Sequence, residues 1–203
     1  MTANIQIIGF SALAFVGLAS APLGQVPTPS EDSAALQQWA LGIENYMVIR
    51  EQAAQIAPPP RFPMSAAELL RAEDAFGAEI RARRSRAREG DLFTFDVRRT
   101  FRNVIAQTLS EHQIASADLI ARVWSDIVPR ASRPAVNRRF PWQLGLDMPP
   151  CVLAALPELP KGIQYRLVGH DLILFDLDAN LVIDIMREAL PRPTVPAGAA
   201  GRR

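Results

Sequence analysis

Apolar residues recur along this chain with two different periods, and the change from one to the other divides it. The first part is helical in spacing. Leu36, Trp39, Ile43, Tyr46 and Met47 share a face with Arg50, which predicts a helix capped by Ser30 or Ser33 and running to about Ile56. The proline-rich stretch Ala57 to Met64 breaks it. Ser65 with Glu68 then forms a capping box, and Leu69, Phe76 and Ile80 make the stripe of a second helix, which passes into the arginine run Arg81 to Arg88 before Gly90 stops it. A third helix is predicted from about Thr94, carrying Val97, Phe101, Val104, Ile105 and Leu109. A fourth starts near Ser116, with Leu119, Ile120, Val123, Trp124 and Ile127.

Beyond Leu156 the period falls to two. Ile163 to Val168 and Asp171 to Phe175 alternate, and Gly169-His170 between them is a two-residue loop with glycine first, the signature of a type II′ hairpin. Pairing across that loop sets Tyr165 opposite Leu174 and Leu167 opposite Leu172 on one face, with Gln164, Arg166, Ile173 and Phe175 on the other. A second turn at Asp178-Ala179-Asn180 leads into Leu181 to Ile185, whose Leu181, Ile183 and Ile185 are expected on the first, apolar face. The predicted fold is therefore α+β: N-terminal helices followed by a small three-stranded antiparallel β-meander against which they pack.

The prolines refine the boundaries. Seventeen are present, grouped at residues 22 to 29, 58 to 63, 129 to 160 and 191 to 196. Residues 34–128 are read as the helical region, and residues 129–190 as a proline-rich segment plus the meander in the same domain. Pro149-Pro150 can open a short helix from Cys151 to Leu156. The tail, residues 191–203, is expected to be disordered. At the other end Ile5 to Leu18 is an uncharged apolar run followed by small residues, so residues 1–19 read as a secretory signal peptide, or as a membrane anchor if uncleaved, with 20–33 as a flexible linker. Either reading predicts a periplasmic or otherwise extracytoplasmic location.

The run from Leu156 to Pro191, preceded by Val136-Asn-Arg-Arg-Phe-Pro and Met148-Pro-Pro, carries an LP-x-LP, VG-x-DL-x-L-x-D, ANL-hydrophobic-D pattern. In this it resembles a group of uncharacterised exported bacterial proteins with a signal peptide and a variable helical region. The resemblance implies an envelope location and no activity. The hairpin is also similar to the carboxy end of the small periplasmic RcnB family, linked to nickel and cobalt homeostasis. That family's tandem tyrosine and tryptophan pattern is absent here, so no metal role is carried over.

Composition narrows the chemistry. A chain of 203 residues, 49% hydrophobic and 21% charged, can bury a real core, and a net charge of +1 gives no global reason to expect nucleic acid as a partner. Acidic residues offset the arginine run, which is read as a solvated helix face. His170 is at a hairpin tip and His112 at a helix end, and no zincin motif or hydrolase motif is present. Asp176-Leu-Asp178-Ala-Asn180 begins like a calcium loop but has Leu181 where glycine is needed, so it reads as a turn, with no metal or cofactor expected. Cys151 is alone and is read as a buried small hydrophobe. No catalytic residue is assigned. The expectation is a non-catalytic protein binding another protein or an envelope component through the mixed β-face, with Arg166, His170, Ile173, Phe175 and Asp184 as binding residues and Asp184 paired to Arg166. The alternatives are an envelope enzyme using Asp171, Asp176, Asp178 and Asp184 with His170, or a weak divalent-metal binder at the Asp178 turn.

Overall fold

The computed structural model describes residues 30–119 and 133–191. The expected signal segment, most of the linker, the body of the fourth helix and nearly all of the tail lie outside the described residues. Helix α1 spans Glu31–Ile56, and Ser30 caps it by accepting the Ser33 N–H at 3.2 Å. Helix α2, Ala66–Arg83, starts on the expected capping box, in which the Glu68 N–H donates to Ser65 Oγ and the Ser65 N–H to Glu68 Oε2. Helix α3 is Phe95–Glu111, and a short α4, Pro150–Ala155, opens on the anticipated proline. The buried positions recur every three or four residues: Ala35, Trp39, Ile43 and Tyr46 on α1, and Val97, Phe101, Ile105 and Leu109 on α3. No helix among the described residues is long and apolar enough to cross a membrane.

Among the described residues four strands, rather than three, form the antiparallel sheet, in the order β1 (Leu146–Asp147), β2 (Ile163–Val168), β3 (Asp171–Asp176), β4 (Leu181–Met186). The extra strand is two residues long, too short to show a period in sequence, and it pairs Leu146 with Leu167 and Asp147 with Arg166. The β2–β3 register is as expected, Tyr165 opposite Leu174 and Leu167 opposite Leu172, and Gly169 takes the positive φ of 62° that its turn position requires.

The β3–β4 register departs from expectation. Leu174 pairs with Asp184 and Phe175 with Val182, so Ile183 is an inserted bulge residue. One extra residue reverses the facing of the strand beyond it. Leu181, Ile183 and Met186 join the helical-side core, while Ile185 goes to the opposite face with Ile173, Phe175 and Val182.

Both faces of the sheet are therefore covered. On the helical side an aromatic group centres on Trp39, whose ring lies 4.9 Å from Phe93, 5.0 Å from Phe101 and 6.2 Å from Tyr165. On the other side the proline-rich segment crosses the sheet and lays Phe140, Val136 and Leu144 over Ile173 and Phe175. Backbone bonds fix it there, Asn137 N–H to the Val182 carbonyl at 2.9 Å and Val182 N–H to the Arg138 carbonyl at 3.0 Å.

Candidate functional site

The carboxylates of the meander occupy three separate places. Asp176 is fully buried beneath α1, where Oδ2 accepts from Tyr46 Oη at 2.7 Å and Arg50 Nε at 3.0 Å, and Oδ1 accepts the Ala179 N–H at 3.1 Å. Arg50 also donates to Asp178, so one guanidinium ties the end of β3 and the middle of the β3–β4 turn to the helix. Burial pushes the Asp176 carboxyl above its ordinary value against the pull of Arg50 and Tyr46, and the Tyr46 phenol is raised by burial and by Asp176.

Asp184 is the second place, and it corrects the expected pairing. The bulge turns it away from Arg166 and towards the loop before α3. There Oδ1 accepts from the N–H groups of Gly90 and Ile185 at 2.8 and 2.7 Å, and Oδ2 from those of Leu92 and Phe93, both at 2.8 Å. Burial raises its pKa, and these backbone donors offset part of the rise. Arg166 pairs instead with Asp147 of β1 at 2.5 Å. Asp171 is the third, accepting from Arg187 Nη1 at 2.8 Å and the Glu188 N–H at 2.9 Å. His170 is half-buried at the hairpin tip, and its Nδ1 is enclosed without a hydrogen-bond partner.

Of the five residues expected to form a binding face, Arg166, Ile173 and Phe175 do share one side of the sheet, with Arg166 directly opposite Ile173, but that side is covered; Asp184 faces the helices and His170 stays at the hairpin tip. Ile173, Phe175 and Asp184 are internal, Arg166 is 8% exposed, and His170 is at the far tip. The proline-rich cover is the physical reason: it seals the face that alternation left looking half-apolar. The arginine run is also not one solvated face. Helix α2 ends at Arg83, and Arg84 turns inward to stack over the Tyr46 ring and donate to the Ile183 carbonyl at 3.0 Å. Among the described residues, no group of three or more His, Cys, Asp or Glu is placed to hold a metal ion. Cys151 is a half-buried free thiol on α4, packed against the core.

Open concave surface lies elsewhere, around the strap Leu156–Lys161 that follows α4. The strap is held at three points: the Leu156 N–H bonds the Val152 carbonyl, Tyr165 Oη donates to the Pro157 carbonyl at 3.1 Å, and the Ile163 N–H bonds the Pro160 carbonyl. Its residues Leu156, Pro157, Glu158 and Leu159 line two depressions. One, of about 530 Å³, runs between the strap and the outer edge of β2, floored by Met148, Leu153, Leu156, Leu159, Ile163 and Tyr165 and rimmed by Asp147, Glu158 and Gln164. The other, of about 820 Å³, runs between the strap and helices α1 and α3, with Leu36, Trp39, Ile43, Phe101 and Val104 on its walls. Leu153, 51% exposed, and Leu36, 38% exposed, present apolar surface to these depressions.

Sequence reasoning missed this region as a site. The LP-x-LP pattern is its one visible signal, and the helical walls are distant in sequence. Comparisons of the chain with family models, curated proteins and solved structures found no match.

Proposed function

We propose that this chain is an exported, non-catalytic binding protein that holds a polypeptide or another apolar envelope component in the depressions flanking the Leu156–Lys161 strap. One observation carries the reading: the open apolar concavities converge on the strap, whereas Asp171, Asp176 and Asp184 are each engaged in bonds that fix a loop or helix. Apolar lining with a few polar rim groups suits recognition without chemistry. Export is supported by the uncharged run Ile5 to Leu18.

Two experiments test this. Fractionation of cells expressing the full chain, with intact mass on the product, is expected to give an extracytoplasmic species beginning near Ser20 or a membrane-bound full-length one; a full-length cytoplasmic species would overturn export. A photo-crosslinking residue placed at Leu153 or Leu36 is expected to give discrete adducts in the envelope that the same residue at the exposed Leu177 does not. Equal labelling at all three positions, or none, would overturn the binding role.

A further inference from the structure

Strand β1 leaves the sheet early. It pairs only with Leu167 and Arg166, then passes through Met148-Pro149-Pro150 into α4, so among the described residues three positions of β2, Ile163 to Tyr165, have no strand beside them on that edge, where the Ile163 N–H is taken by the Pro160 carbonyl of the strap. Pro149 lacks an N–H and cannot continue a ladder. The 530 Å³ depression lies along this bare stretch, and it is lined by Ile163 and Tyr165 from one face of the sheet and Gln164 from the other. A hollow lined from both faces lies at the strand's edge, not above it.

Resting on the binding role just proposed, we infer that the depression takes an extended peptide segment by strand addition: the peptide continues β1 along β2, antiparallel to it, with an apolar side chain in the floor and a lysine or arginine at the rim. Three residues of strand span about 10 Å, room for a three- or four-residue core motif. The apolar floor selects one face of the peptide, through Met148, Leu153 and Leu159. The charge of the rim selects the cation. Asp147 and Glu158 are its carboxylates and no basic side chain lines it; Asp147 is already paired with Arg166, so Glu158, which makes no ion pair among the described residues, is the carboxylate that meets the peptide's cation. An acidic or wholly neutral segment leaves that rim unmatched.

The test begins with the full chain and a displayed library of random linear dodecapeptides, selected in parallel against Glu158→Lys, an exposed substitution. Peptides enriched on the unaltered chain are expected to alternate apolar and polar residues around a Lys or Arg, and to bind Glu158→Lys at least tenfold more weakly. A synthetic copy is then N-methylated on alternate backbone nitrogens. Methylation in one phase is expected to weaken binding at least tenfold and in the other phase to leave it nearly unchanged, because only one set of N–H groups faces β2. Equal tolerance of both phases, or no enrichment over Glu158→Lys, overturns strand addition. Should the selected peptide crosslink at Leu36 and not at Leu153, the strap still binds and only this inference falls; loss of crosslinking at both positions removes the binding role itself.

Discussion

Replacing Asp184 by asparagine removes one acceptor oxygen from a carboxylate that serves four backbone N–H groups. In either amide orientation two of them, Gly90 with Ile185 or Leu92 with Phe93, face an NH₂ group in place of an oxygen. Leaving two buried donors unmet costs about 2 kcal/mol each, roughly 4 kcal/mol together. Burial has raised this carboxyl's pKa, so shedding the charge offsets part of that cost. The net expectation is a loss of about 3 kcal/mol at pH 7. In urea, with a slope of about 2 kcal/mol per molar, the unfolding midpoint falls by roughly 1.5 M. Amide exchange at Leu92 and Phe93 accelerates with it. A midpoint within about 0.3 M of the parent protein would refute the claim that Asp184 pins the loop leading into α3.

Three further outcomes rest on the same contacts. Arg50→Met strands the buried Asp176 without its guanidinium and is expected to cost about 3 kcal/mol in urea unfolding, with part of the loss recovered in the double variant carrying Asp176→Asn. Gly77→Ala on α2 sets a Cβ 2.7 Å from the Ala179 carbonyl oxygen, a backbone atom that cannot swing aside, so thermal unfolding is expected at a lower temperature despite alanine's better helix propensity. Asp176 and Asp184 both keep their protons to higher pH in the native chain than in the unfolded one. Across the window from the ordinary carboxylate value near about 3.9 up to their raised native values, the native state binds more protons, so their contribution to stability falls as pH rises. Asp176→Asn and Asp184→Asn should each flatten that slope in urea midpoints measured through the window, and an unchanged slope in both would contradict it.

Local signals made the helices and the hairpin legible. Ser65-x-x-Glu68 marks the start of α2, Pro58 the end of α1, and Gly169 the turn, because each acts on its own few residues. What escaped depends on partners far along the chain. Leu-Val-Ile-Asp-Ile-Met is apolar at every position but Asp184, so nothing in it shows that Ile183 is a bulge residue, and with the bulge went the facing of Asp184 and Ile185. Val136 to Leu144 reads as irregular chain; only the fold shows that it lies over Ile173 and Phe175 and removes them from solvent. The apolar depressions are also assembled from remote pieces, Leu36 and Trp39 from one end and Leu156 to Lys161 from the other. Arg84 is a related case: the arginines between Arg81 and Arg88 look alike in sequence, and the inward turn of one is decided by the Ile183 carbonyl and Asn137.

The proline-rich cover also has a bearing on function. By tying Asn137 and Arg138 to Val182 it protects the outer edge of β4, while β1 covers only part of β2. One edge of the sheet is guarded and the other is left partly bare beside an apolar hollow, the condition under which an exposed strand edge recruits another chain.

Hydrogen exchange on the full chain, with and without a selected dodecapeptide at saturation, tests recruitment at that edge most directly. Slowed exchange confined to Leu156 to Tyr165, with Arg81 to Asp91 and Val136 to Phe140 unchanged, is the predicted result. Slowing centred on the arginine loop or on the proline-rich cover, with residues 156–165 unaffected, would contradict it.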